Sequence, residues 1–138
     1  MKVSRENIST VIPHRHPFIM IDNLLDAGLT FFETDFMVRE ENIFIWNNAL
    51  QSPALIENIA QTCAAGFGYL QQTADAKPGM GVIGAITKLH VHTLPLVDSL
   101  IRTTAEVTHQ LANVFLIRGE NYCEGNILLE CELKIVII

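Results

Sequence analysis

Cysteine is scarce in this chain: three occur in 138 residues, Cys63, Cys123 and Cys131, with no C-x-x-C pair. That excludes a disulfide framework and a zinc site built on paired thiols. If Gly125-Asn126 forms a two-residue hairpin turn, Cys123 faces Leu128 and Cys131 faces Glu120, so those two thiols are not opposed. Positive charge is also short, with 9 Lys and Arg against 15 Asp and Glu and a net charge of −6, which argues against a nucleic-acid phosphate track. The opening Met1-Lys2-Val3-Ser4-Arg5-Glu6 has no apolar signal-peptide core, so the cytoplasm is the expected location. Repeats and low-complexity segments are absent, and the length predicts one domain, 1–138, large enough to bury a core without staples.

What the chain does have is one long apolar stretch, Pro53 to Gln72, reading P-A-L-I-E-N-I-A-Q-T-C-A-A-G-F-G-Y-L-Q-Q. At 3.6 residues per turn it makes a helix of about five turns. Ala, Leu, Ile, Cys and Phe fall on nearly every side of it, so it is wrapped by protein or by lipid. Glu57, Asn58, Gln61 and Gln71 argue against a membrane span, which leaves a buried central helix. Glu57 lies near its start, with Gln61 one turn later on the same face. A carboxyl sealed in apolar surroundings is costly, so it either makes a specific structural hydrogen bond near the positive helix end or does chemistry.

The rest of the chain predicts strands. A short helix over Ser4 to Val11, with Ser4 as N-cap, stops before Pro13. Pro13-His14-Arg15-His16-Pro17 is a rigid, polar loop, and Phe18 to Leu25 reads as a strand. Ala27-Gly28 turns it into a hairpin partner, Thr30 to Arg39. Glu40 to Ser52 reads as irregular, anchored by Phe44 and Trp46 and turned by Asn47-Asn48, with Ser52 capping the central helix and Pro53 in its first turn. Thr73 to Gly79 is a breaker-rich loop. Strands follow over Val82 to Thr93, Leu100 to Gln110, Ala112 to Glu120 and Asn126 to Ile138, with a corner at Leu94 to Asp98. A single apolar helix beside so much strand is best buried by a curved antiparallel sheet wrapping it, the α+β hotdog arrangement. Its open strand edges predict a homodimer or pairing with a close relative.

Ile12-Pro13-His14-Arg15-His16-Pro17-Phe18-Ile19-Met20-Ile21-Asp22 resembles the L-P-H-R-Y-P-F-L-L-V-D opening of the FabZ-type 3-hydroxyacyl-[acyl-carrier-protein] dehydratases. Leu55-Ile56-Glu57-Asn58-Ile59-Ala60-Gln61 resembles their L-x-E-x-x-A-Q on the central helix. Gly84-Ala85-Ile86 and Pro95-Leu96-Val97-Asp98 resemble the family's G-I-D and V-P-G-D, so the resemblance runs through nearly the whole chain in order. One element departs from it. The family's G-H-F-P segment carries its base histidine, whereas Asn42 to Gln51 contains no histidine and Ser52-Pro53-Ala54 replaces P-G-V. Retaining Glu and Gln without that histidine resembles the divergent dehydratase-like proteins of aryl polyene and flexirubin pigment clusters, whose P-H-x-x-x-M-x-L-x-D is matched loosely by Pro13, His14, Met20 and Asp22.

The resemblance implies a substrate held as a carrier-protein or coenzyme A thioester, with no cofactor and no metal. Dehydration needs a base for the C2 proton, an acid for the departing hydroxyl and donors for the thioester oxygen. Residue by residue, Glu57 matches the family's acid and Gln61 its helix glutamine, which orients rather than reacts; Pro53 and Ala54 lie where the helix start would bind. The base is the missing part. His14 is the first candidate, against the plainer role of a loop-fixing hydrogen bond. His16, His90, His92 and His109 remain, and His90 and His92 share one strand face without a third metal ligand. Phe31, Phe32 and Phe115 are core or acyl-tunnel lining, and Arg15, Lys88 and Arg102 are solvated surface or receivers for an acidic carrier protein or its phosphate. Three readings stay open: a dehydratase with a displaced base, a thioesterase using Glu57 on water or carbonyl, and a dehydratase-like subunit that supports an active relative.

Overall fold

In the computed structural model, residues 1–74 and 81–138 are described. A 3-10 helix, Arg5–Thr10, leads into β1 (Asn23–Ala27), β2 (Phe31–Met37), the short β3 (Ile45–Trp46) and β4 (Ala49–Leu50), and the long α1 (Ser52–Thr73). Strands β5 (Gly81–Val91), β6 (Leu100–Leu111), β7 (Val114–Cys123) and β8 (Asn126–Ile137) complete the chain. Six of them form one sheet in the order β1-β2-β6-β7-β8-β5, with every neighbouring pair antiparallel.

Alternation builds the core. Phe32, Thr34 and Phe36 of β2, Ile101, Thr103 and Ala105 of β6, and Ile117, Gly119 and Asn121 of β7 turn the same face toward α1 and are buried. Gly119 has no side chain for a reason: a Cβ there would stand 2.2 Å from Ile59 Cγ2 on the helix. A second, smaller cluster packs Ile8, Val11, Ile12, Ile21 and Leu24 against Ala65, so α1 is gripped from two sides. The expected arrangement of one long helix on a large curved antiparallel sheet is the one observed.

Several local expectations are corrected. Of the expected strand Phe18 to Leu25 only residues 23–25 lie in a strand, as the start of β1 (Asn23–Ala27); the Phe18 carbonyl and both backbone groups of Met20 are satisfied by α1 side chains instead. The first helix is 3-10, and Ser4 makes no side-chain cap bond. The N-cap of α1 is Gln51, not Ser52. Glu40 to Ser52 is less irregular than expected, since β3 and β4 form a small hairpin turned by Asn47 and Asn48, both at positive φ (54° and 63°). Phe44 packs against the core, but Trp46 is 72% exposed and anchors nothing within this chain. The last hairpin turns on Glu124-Gly125, which places Cys123 opposite Asn126 and Cys131 opposite Gly119; the two thiols are still unopposed. Of the expected loop Thr73 to Gly79, residues 75–79 lie outside the described residues.

Candidate functional site

The site begins with the way α1 holds the chain before β1. Gln61 is fully buried, and two of its three hydrogen bonds serve this purpose. Its Oε1 accepts from the Met20 N–H at 2.7 Å, and its Nε2 donates to the Phe18 carbonyl at 2.9 Å and to Glu57 Oε1 at 2.8 Å. One turn and one face away, Asn58 Nδ2 donates to the Met20 carbonyl at 2.7 Å. A stretch that forms no ladder is thus tied to the helix at both backbone groups of one residue, which answers the demand that buried backbone polar groups be paired. Upstream, Gly68 lets the helix approach the chain closely, for a Cβ there would meet the Val11 carbonyl oxygen at 2.2 Å. Arg15 NH1 donates to the carbonyls of Ile12 and His14, so the loop-fixing bonds expected of His14 are made by Arg15.

These ties bring His14 to Glu57: Nε2 stands 3.5 Å from Oε1. His14 Nδ1 is buried with no hydrogen-bond partner among the described residues. The pair sits at the polar end of a cleft of about 650 Å³, whose remaining wall is mainly apolar: Ala60, Ala64 and Phe67 of α1, Ile83 of β5 and Ile135 of β8. Phe67 is held edge-on to Phe32 at 5.1 Å between ring centroids and tilted to Phe115 at 5.0 Å. The carboxyl is not sealed as expected. In the single chain the Glu57 side chain is 37% exposed and that of His14 31%, both open to the cleft.

Other expected site residues lie elsewhere. Pro53 is exposed and has no N–H, Ala54 is buried in the core with its N–H donated to the Gln51 carbonyl at 3.0 Å, and neither lines the cleft. His16 is exposed on the far side of its loop. His92 Nε2 pairs with Glu130 Oε2 at 3.0 Å, and the His90 ring lies 6.5 Å from the His92 ring. His109 is exposed beside Thr108. Among the described residues no group of three or more His, Cys, Asp or Glu is arranged for a metal. Lys88 pairs with Glu132 at 2.7 Å and Arg102 with Glu33 at 3.5 Å. Phe31 is exposed, Phe32 is core, and Phe115 backs Phe67. Sequence reading passed over Asn58 as anything more than a polar position; its spacing from Gln61, on a helix otherwise apolar there, was the available signal. Cys63 also lines the cleft, its thiol pushed up to about 12 by burial and by neighbouring Cys131.

A chain that wraps one helix in this way, with its motifs in this order, is a hotdog protein of a dehydratase class. Residues 6–136 match the ApeP-like family, described as ApeP dehydratase, and the chain belongs to that family. It is 22% identical over 146 residues to the 3-hydroxyacyl-[acyl-carrier-protein] dehydratase FabZ of Campylobacter jejuni, covering 95% of this chain and 94% of the relative. Among solved structures, the dehydratase heterocomplex ApeI:P from Xenorhabdus doucetiae superposes with a TM-score of 0.87 at 14% identity, over 95% of this chain and 90% of that one. A hypothetical thioesterase with coenzyme A from Streptococcus pneumoniae TIGR4 has a TM-score of 0.69 at 9% identity, over 84% of each chain. At such identities the structural likenesses show the fold alone. Among the described residues no helix is long and apolar enough to cross a membrane.

Proposed function

We propose that this chain removes water from 3-hydroxyacyl thioesters carried on an acyl carrier protein or coenzyme A, with His14 and Glu57 as its reacting pair. The observation that carries the reading is the 3.5 Å between His14 Nε2 and Glu57 Oε1 at the head of a largely apolar cleft. The cleft volume is within the range that accommodates a small organic ligand, and its apolar wall suits an acyl chain. In this reading the unprotonated His14 imidazole takes the C2 proton, and the freed electron pair becomes the C2–C3 double bond. The C3–O bond breaks as the Glu57 carboxyl gives its proton to the departing hydroxyl, which leaves as water. An imidazolium then faces a carboxylate, and passage of the proton from one to the other restores the starting pair without outside help. Gln61 keeps Glu57 Oε1 turned toward the imidazole.

A related dehydratase subunit is the partner this reading expects. Strand β5 is an open sheet edge with Val82, Ile83, Ile86, Leu89 and Val91 exposed, and Ile83 also lines the cleft, so a strand added there would close the site's side. The ApeI:P neighbour is a dehydratase heterocomplex. A second reading is favoured by one observation: Glu57 is open enough to meet a histidine from a partner, and 42–51 has none of its own. In that case the chain supports an active relative.

The test offers a 3-hydroxyacyl pantetheine thioester to the purified protein, alone and mixed with a related dehydratase carrying the G-H-F-P histidine, and follows enone absorbance and free thiol. Enone without thiol from the protein alone is the expected result. Thiol without enone makes it a thioesterase, and enone only on mixing makes it a supporting subunit.

A further inference from the structure

Asn58 occupies the centre of a buried polar network that spans the helix, the sheet and the segment bearing His14. Its side chain is fully buried. Nδ2 donates to the Met20 carbonyl at 2.7 Å, while Oδ1 accepts from Thr103 Oγ1 of β6 and from Asn121 Nδ2 of β7 at 3.0 Å. Asn121 Nδ2 also donates to the Leu55 carbonyl at 3.0 Å, and Thr62 Oγ1 bonds both the Asn58 carbonyl and Thr34 Oγ1 of β2. An asparagine inside a helix is a poor helix former and a costly group to bury, so a network that gives its side chain three hydrogen bonds does something apolar packing would not.

We propose that Asn58 is a positioning residue: it anchors the Met20 carbonyl to the sheet through Thr103 and Asn121, and so sets the separation of His14 and Glu57. Gln61 alone holds the Met20 N–H and the Phe18 carbonyl but touches no strand, so it can travel with the helix. Asn58 joins that same residue to β6 and β7, so its side chain links segment, helix and sheet at one point, beside the helix–sheet bonds of Thr62 with Thr34 and of Asn121 with the Leu55 carbonyl. Misplacing reacting groups by about 1 Å costs on the order of 100-fold in rate. The inference rests on the reading of His14 and Glu57 as the reacting pair.

Two variants and two readouts test it. Asn58→Ala removes the anchor; Thr103→Val, nearly isosteric, removes one of its supports and serves if Asn58→Ala does not fold. With the thioester assay, each folded variant should lower kcat about 10- to 100-fold for Asn58→Ala and less for Thr103→Val, with KM changed by no more than about twofold. The second readout needs no turnover. In labelled wild-type protein, Glu57→Gln should move the His14 imidazole carbon resonance, and in the Asn58→Ala background that response should vanish. An unchanged kcat together with an undiminished His14 response in a folded Asn58→Ala or Thr103→Val variant overturns the proposal. If the wild type shows no turnover yet the His14 response is lost in Asn58→Ala, the anchor stands and the dehydratase reading falls.

Discussion

Gln61 and Glu57 sit one helical turn apart, and the amide of the first donates at 2.8 Å to the same carboxyl oxygen that His14 Nε2 approaches at 3.5 Å. One oxygen therefore faces a fixed donor on one side and a titratable ring on the other. The remaining bonds of Gln61 go to Phe18 and Met20, so the group that aims Glu57 also holds the chain on which His14 is carried.

Because the two side chains act as a unit, their removal should not add. His14→Ala and Glu57→Gln are each expected to lower kcat by about 100-fold or more, and the double variant should be no worse than about tenfold below the weaker single one. Steady-state kinetics on the thioester, with circular dichroism to confirm folding, checks this.

Gln61→Leu should cost stability as well as rate. It leaves the buried Met20 N–H without its partner, at about 1–3 kcal/mol, and removes the donor to the part-buried Phe18 carbonyl. At roughly 4 °C per kcal/mol, thermal unfolding should show a drop of several degrees. Gln61→Glu restores the acceptor for Met20 but not the donors, and should recover only part of the loss.

Much of this was legible in the sequence, and the reasons differ by element. Pro53 and the apolar run behind it marked α1, and the Ala27-Gly28 turn marked the hairpin that carries β2, because both signals are local. The Glu57–Gln61 contact follows from four-residue spacing on a helix. The His14–Glu57 contact does not, since it depends on where two distant segments are pinned, and the pins are side chains of Gln61 and Asn58. The same pins explain the misread strand: Met20 and Ile21 are apolar because they are buried, but the hydrogen bonds of Met20 run to the helix rather than to a neighbouring strand. Trp46, expected to anchor its loop, is exposed instead, and nothing in its local sequence distinguishes it from the core-packed Phe44.

Gly68→Ala tests how the N-terminal segment is seated. A Cβ at 2.2 Å from the Val11 carbonyl oxygen meets backbone, so either the helix or the chain leading to His14 must move. The expected cost is about 1–3 kcal/mol, read by denaturant or thermal unfolding, together with a fall in turnover. A Gly68→Ala protein as stable and active as the wild type would mean that this approach is looser than described.

The thiols should separate cleanly by reactivity. Burial pushes Cys63 up to about 12 and Cys131 up to about 11, so both stay protonated at pH 8, whereas Cys123 is partly exposed. Brief iodoacetamide treatment of native protein should give one adduct by intact mass, on Cys123, and three after denaturation.

The most direct measurement puts the substitution in this chain and the rest of the machinery in place: enone formation from a 3-hydroxyacyl pantetheine thioester by the complex of this protein with a related dehydratase whose own base histidine has been replaced by alanine. The account predicts that turnover persists in that complex and is lost when His14→Ala is introduced here. Turnover that disappears with the partner's histidine, or that survives His14→Ala unchanged, contradicts it.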